Sequence, residues 1–123
     1  MNPNNKEVVM SDCIFCKLAN KEIPTEVVYE NENVFVFKDM APAAKIHYLF
    51  IPKVHLESVQ ALEDFSIMGK LFAAIKEVAE KEGFAEEGYR VISNVGENGN
   101  QSVHHLHIHV LAGEPIRFPG FDH

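Results

Sequence analysis

Basic residues are scarce in this chain: 11 Lys and Arg stand against 18 Asp and Glu among 123 residues, a formal charge of −7. Nucleic-acid binding rests on many Lys and Arg contacts to phosphate, and docking on anionic membranes rests on basic clusters, so this balance argues against both partners. A single nucleotide stays open, because backbone N–H groups and neutral side chains can hold one phosphate. Long apolar runs are also missing. Stretches such as Tyr48-Leu49-Phe50-Ile51 are far too short to span a bilayer, and the N-terminus lacks the charged-then-apolar pattern of a secretion signal, so a cytoplasmic location is expected. Cysteine is limited to Cys13 and Cys16. Separated by two residues and without secretory features, they read as a metal or redox pair, not a stabilising disulfide. No internal repeat is present, and the length allows one domain. With 46% hydrophobic and 24% charged residues, the chain can bury a core and is neither disordered nor fibrous.

Met1 to Val9 is polar and Asn-rich, which predicts a disordered leader over residues 1–10 ahead of a single domain over residues 11–123, with Met10 as an alternative start. Ser11 or Asp12 can cap a short helix, Cys13 to Ala19, that sets both sulfurs on one face. Glu26 to Glu30 and Val34 to Phe37 flank Asn31-Glu32-Asn33 as a hairpin, and Ile46 to Ile51 adds a third strand. From Asp64 to Glu82, Ile67, Met68, Leu71, Phe72, Ile75, Val78 and Ala79 recur at helical spacing, with Gly83 at the capping position. Tyr89 to Ser93 and Val103 to Leu111 read as a fourth and a fifth strand. There is no regular β-α alternation, so the expected fold is α+β: a five-stranded, mostly antiparallel sheet with one long and one short helix.

Four of the seven histidines, His104, His105, His107 and His109, fall within six residues. A strand period of two sends His105, His107 and His109 to one face and Leu106, Ile108 and Val110 to the other. An edge strand with a polar outer face would explain a single histidine, but three in strict alternation weaken that account. Two chemical readings remain: a three-imidazole metal site, or a nucleophile with hydrogen-bonding neighbours.

The ordered set Asp12-Cys13-Ile14-Phe15-Cys16-Lys17, Glu22-Ile23-Pro24, Ile51-Pro52-Lys53-Val54-His55 and Asn100-Gln101-Ser102-Val103-His104-His105-Leu106-His107-Ile108-His109-Val110-Leu111 resembles the histidine-triad family, in particular its nucleotide-binding (Hint) branch, from about Asp12 to Pro119. The resemblance implies a homodimeric hydrolase of nucleoside 5′-monophosphates that carry a leaving group on the α-phosphate, notably purine nucleoside phosphoramidates. His107 is then the nucleophile. Imidazole suits that role on two counts. Near neutral pH it is substantially unprotonated, and once bonded to phosphorus it departs readily, so one hard displacement becomes two easier ones. His109 and Ser102, with Asn94 and Gln101, match the phosphate and leaving-group contacts. Asp39 matches the ribose contact, and Ile23 and Phe37 match the apolar wall against the base, although both also suit core packing. His47 matches a histidine beside the catalytic one. One departure is Asn100, where the family's loop usually has Gly; Asn also tolerates positive φ.

By the same resemblance, some relatives hold zinc with residues that here are Cys13, Cys16, His55 and His105. Four protein ligands leave no open position, so the implied metal is structural. No organic cofactor is implied, and a thioredoxin-like redox role is disfavoured because the Cys pair does not open a helix after a strand in a βαβ unit. Two other functions compete: a purine nucleotide-binding protein with little turnover, and a zinc hydrolase centre. The long helix, the fourth strand and the tail carrying Phe118 and Phe121 are candidates for the dimer contact.

Overall fold

A computed structural model describes residues 12–119; the leader, Met10, Ser11 and Phe121 lie outside them. Helix α1 (Ile14–Ala19) is followed by β1 (Val27–Glu30), β2 (Val34–Lys38), β3 (Ile46–Pro52), a 3₁₀ turn (Val59–Ala61), helix α2 (Ser66–Lys81), β4 (Arg90–Ile92) and β5 (Ile108–Ala112). The strands form one sheet in the order β1-β2-β3-β5-β4, and every neighbouring pair is antiparallel. This is the expected α+β architecture.

The two central layers follow from side-chain alternation. Val34 and Val36 of β2, Tyr48 and Phe50 of β3, and Ile108 and Val110 of β5 pack under α2 against Leu71, Ile75 and Val78. Phe35, Phe37, Leu49 and Ile51 point to the opposite face, where Phe15, Leu18 and Ala19 of α1 cover them. β2 and β3 are thus buried on both faces, which is why their sequences read as unbroken apolar runs. Each fully buried Leu, Ile or Phe contributes about 1.5–3 kcal/mol relative to exposure.

Local chemistry sets the turns. The Asn31 side chain accepts from the backbone of Asn33 and Val34, both at 2.8 Å, closing the β1–β2 hairpin. Gly83, at φ +83°, ends α2 at the position its spacing predicts. Three expectations are corrected. The α1 cap is Cys13, whose sulfur accepts from the Cys16 backbone N–H, in place of Ser11 or Asp12. The fourth strand shortens to Arg90–Ile92. The fifth begins only at Ile108, because the Leu106 N–H donates to the Leu56 carbonyl at 2.5 Å and so is drawn to a loop instead of the sheet. Phe118 packs against the Arg90 guanidinium, 4.6 Å from ring centroid to Cζ, which ties the C-terminal segment to the edge strand β4.

Candidate active site

Although residues 103–107 lie outside the strand, the alternation persists. Leu106 joins the core under α2, and His105 and His107 turn to the α1 side, where the Phe15 ring meets them edge-on at 6.0 and 5.1 Å. Both imidazoles are buried. His107 Nδ1 lies 2.7 Å from the His105 carbonyl oxygen. A carbonyl can only accept, so Nδ1 carries the proton and the lone pair sits on Nε2. Burial also holds the His107 pKa below its ordinary value, which keeps that lone pair available.

A second chain of bonds fixes the neighbouring rings. The Ala43 N–H can only donate, and it reaches His47 Nδ1 at 3.0 Å. His47 therefore carries its proton on Nε2 and donates it to His109 Nδ1 at 2.9 Å. His109 in turn holds its proton on Nε2. One backbone amide thus sets two side-chain tautomers, leaving His107 with an unshared pair and His109 with an N–H donor, ring centroids 5.0 Å apart. Asp39 closes the group: one carboxylate oxygen accepts from the Ala41 N–H at 2.8 Å, and the other lies 3.5 Å from His47 Nε2. Burial, followed by the positive charge its neighbours His107 and His47 would carry, pushes His109 down to about 4 against the opposing pull of Asp39. Burial likewise lowers His47.

Two side-chain groups among the described residues could hold a metal ion: Cys13, Cys16, His55 and His105, and Asp39, His47 and His109. They differ in whether lone pairs face inward. In the first group His105 donates Nε2–H to the Pro52 carbonyl at 2.9 Å, which leaves Nδ1 bare, 3.4 Å from the Cys13 sulfur and 3.5 Å from that of Cys16. His55 Nδ1 lies 3.2 Å from the Cys16 sulfur. A tetrahedral zinc with bonds of about 2.3 Å to sulfur and 2.0–2.1 Å to nitrogen needs S···N edges of roughly 3.5 Å, so this donor set fits. Burial, then the hydrogen bond and charge of Cys13, push the Cys16 thiol up to about 12, an arrangement that a dication would reverse. In the second group the inward nitrogen of His47 is protonated, and its other nitrogen already faces the Ala43 N–H. A metal there would demand an imidazolate, so that group fits a proton and not a cation.

The loop between β4 and the histidines is braced from within. Asn100 adopts φ +59°, so the left-handed bend is kept with Asn in place of Gly. A side chain at Gly99 would strike the Val95 carbonyl oxygen at 2.5 Å. The Gln101 amide is fully engaged: it accepts from the Gly96 N–H at 2.9 Å and donates to the carbonyls of Glu57 at 2.7 Å and Val103 at 3.0 Å. Asn94 is half-buried beside Ser93, whose hydroxyl donates to the His107 carbonyl at 3.3 Å. Ser102 is exposed and lines a surface depression of about 380 Å³ with Cys13, His55 and His104. Phe37 is buried edge-on to Phe15 at 5.4 Å, and Ile23 packs against the same cluster. The structure therefore gathers His47, His107, His109 and Asp39 in one place and the Cys/His quartet beside them. Phe15 touches both groups, a role that sequence reasoning misses; its place between the two cysteines is the signal that could have found it.

The chain is similar in sequence and fold to several known proteins. Residues 12–116 match the family model described as scavenger mRNA decapping enzyme C-term binding. The chain is 37% identical over 107 residues to the purine nucleoside phosphoramidase of Escherichia coli (strain K12), covering 85% of this chain and 90% of that protein. It is 45% identical over 113 residues to a 14 kDa zinc-binding protein of Zea mays, covering 89% and 88%. A histidine triad protein from Clostridium difficile superposes with a TM-score of 0.85 at 43% identity, covering 87% of this chain and 95% of that one.

Proposed function

The chain belongs to the histidine-triad family, and from that premise we propose that it is a nucleotide-binding hydrolase that cleaves purine nucleoside 5′-phosphoramidates, or related nucleoside monophosphate conjugates, through a nucleotidyl-histidine intermediate. The observation that carries this reading is the His107 ring, whose Nδ1 proton is committed to the His105 carbonyl so that Nε2 is the unshared nitrogen. Nε2 attacks the α-phosphorus and the P–N bond to the leaving amine breaks. Water then displaces His107 and releases the nucleoside monophosphate.

The His109 Nε2–H is the donor toward the charge that develops on the phosphoryl group, a contribution that for one well-placed donor is about 3–4 kcal/mol. His47 orients it. Ser102 and Asn94 donate from the loop that Gln101 holds in shape, Asp39 accepts from the ribose hydroxyls, and Phe15, Phe37 and Ile23 form the apolar wall for the base. Cys13, Cys16, His55 and His105 hold zinc as a structural ion, a reading supported by the donor geometry and by the zinc-binding relative from maize. A homodimer acting in the cytoplasm completes the proposal. Its support is an edge strand, β4, and the exposed aromatic rings of α2, Phe72 at 46% and Phe65 at the helix start. Among the described residues no helix is long and apolar enough to cross a membrane.

The test is brief incubation with a purine nucleoside phosphoramidate followed by intact-protein mass and peptide mapping. A nucleotidyl increment on His107, lost together with turnover in His107→Asn, is the expected result. Turnover undiminished in that variant removes the covalent route, and nucleotide affinity without turnover in the wild type would make this a binding protein.

A further inference from the structure

We propose that Cys13 and Cys16 form a peroxide-sensitive pair that, on closing to a disulfide, gives up the metal and disarms the nucleophile two residues beyond His105. The inference rests on the reading of the Cys/His quartet as a metal site and of His107 as the attacking residue.

Access comes first. Cys13 and Cys16 are the chain's two cysteines and remain unbridged. Cys16 is buried, but Cys13 is half-exposed and lines the same surface depression as His55 and Ser102. A small hydroperoxide can therefore reach one sulfur from solvent while the second waits behind it. The four donor atoms all lie within 4.8 Å of one another. Cys13 sits at the helix cap with an extended backbone, φ −73° and ψ 116°; its carbonyl keeps the Lys17 N–H at 3.1 Å while only its side chain, now on the Cys16 N–H at 3.4 Å, turns inward.

The Cys13 thiolate attacks one oxygen of the hydroperoxide and the O–O bond breaks, giving a sulfenic acid and, after protonation, one water or alcohol. The Cys16 thiolate then attacks the Cys13 sulfur and expels the hydroxyl as a second water. Two thiolates, one peroxide and two protons become one disulfide and two hydroxylic products, and the metal leaves as a dication because two of its four ligands are gone.

Hydrogen bonds supply the route to His107. The His105 ring is pinned at both nitrogens, Nδ1 toward the sulfurs and Nε2–H on the Pro52 carbonyl. Its backbone carbonyl is the acceptor that locks the His107 tautomer. This stretch precedes the β5 ladder, so its anchors are the His105 ring contacts and one amide bond, the Leu106 N–H on the Leu56 carbonyl at 2.5 Å. Losing the metal removes the Nδ1 contact and leaves the Pro52 and Leu56 bonds alone to hold the His105–Leu106 peptide, which loosens the carbonyl that keeps Nε2 of His107 unprotonated and aimed. The cluster is a structural clamp when reduced and an open latch when oxidised.

The experiment treats full-length protein, loaded with zinc, with hydrogen peroxide in increasing ratio. Zinc release is followed with a chromogenic chelator, Cys13–Cys16 bridging by the mass loss of two hydrogens mapped to one peptide, and the His107 tautomer by ¹⁵N NMR. The expected result is one zinc released per bridge, mixed His107 tautomers, and hydrolysis falling about tenfold to hundredfold, all reversed by a dithiol reductant with added zinc. Retention of zinc after oxidation, sulfinic acid in place of a bridge, or an unchanged His107 tautomer after zinc loss each overturns the proposal. Metal, mass and NMR read the switch without nucleotide, so absence of hydrolysis in the reduced protein would count against the hydrolase reading alone. Cys13→His, which offers a fourth ligand but cannot bridge, should hold zinc under peroxide; its release there would also refute the mechanism.

Discussion

Replacing His47 by Ala removes the donor that fixes the His109 ring, and the cost can be worked from the bonds around it. His47 Nε2–H reaches His109 Nδ1 at 2.9 Å, and the Ala43 N–H is the donor that holds His47 in that tautomer. Without it, His109 Nδ1 loses its partner inside a largely desolvated group, a penalty of about 1–2 kcal/mol for a half-satisfied buried acceptor. The His109 proton can then reside on either nitrogen, so the donor aimed at the phosphoryl group is correct for only part of the molecules. If the penalty is felt wholly in the transition state, the rate falls roughly 5- to 30-fold. The loss should appear in kcat with little change in KM, because the base wall is untouched and Asp39 keeps its bond from the Ala41 N–H. His47→Gln, whose amide nitrogen can stand near the Nε2 position, should recover part of the rate. Single-turnover hydrolysis of a purine phosphoramidate, paired with ¹⁵N NMR of the His109 ring, measures both ends of the argument. A His47→Ala protein that melts normally, hydrolyses within about twofold of wild type and still shows a pure Nε2–H tautomer at His109 would refute it.

Burial lowers the titration of His107 below the ordinary 6.5 and that of His109 to about 4, so the rate per folded molecule should hold as pH falls through 6.5 and decline only below it, as protons take up the His107 lone pair; a half-maximal rate near pH 6.5 would show that His107 titrates as if exposed. The same depression means the unfolded chain takes up the proton first, so the contribution to stability is full above 6.5 and is lost as pH falls toward 4, which thermal melting across that range would reveal. Asn100→Gly should leave melting nearly unchanged, whereas Asn100→Ala, at φ +59°, should cost about 1–2 kcal/mol, read by denaturant titration. Leu71→Ala, in the fully buried seam between α2 and the sheet, should destabilise by about 2–5 kcal/mol without altering the turnover of molecules that remain folded.

Much of this molecule is legible in the chain because its periods are clean. The helical recurrence from Ile67 to Ala79 and the two-sided apolar runs of β2 and β3 mark elements whose faces are both spoken for, and the histidine alternation marks a face that is not. The start of β5 is not legible, since nothing local to Val103 or Leu106 announces that the Leu106 N–H is taken by Leu56, a residue fifty positions earlier. Nor can sequence show that Cys13 caps α1, or that Gln101 spends its amide on Glu57 across the fold. The tautomers are equally hidden: they depend on Ala43, a residue with no polar side chain, whose contribution is a backbone N–H placed by the turn after β2. Positions with chemical side chains announce themselves, and positions that act through the main chain do not.

The sheet order has a kinetic meaning. β3 and β5 are neighbours at the heart of the sheet, with Ile46 opposite Ala112, yet the whole of α2 and β4 intervenes between them in the chain. The entropy of closing so long a span is met before any of their cross-strand contacts can reward it. A nascent chain emerging from synthesis can form α2 early, but it holds no paired His47 and His109 until its last strand arrives. The molecule therefore becomes reactive only as it becomes complete, and no stretch ending before Ile108 can carry a working fragment of the site.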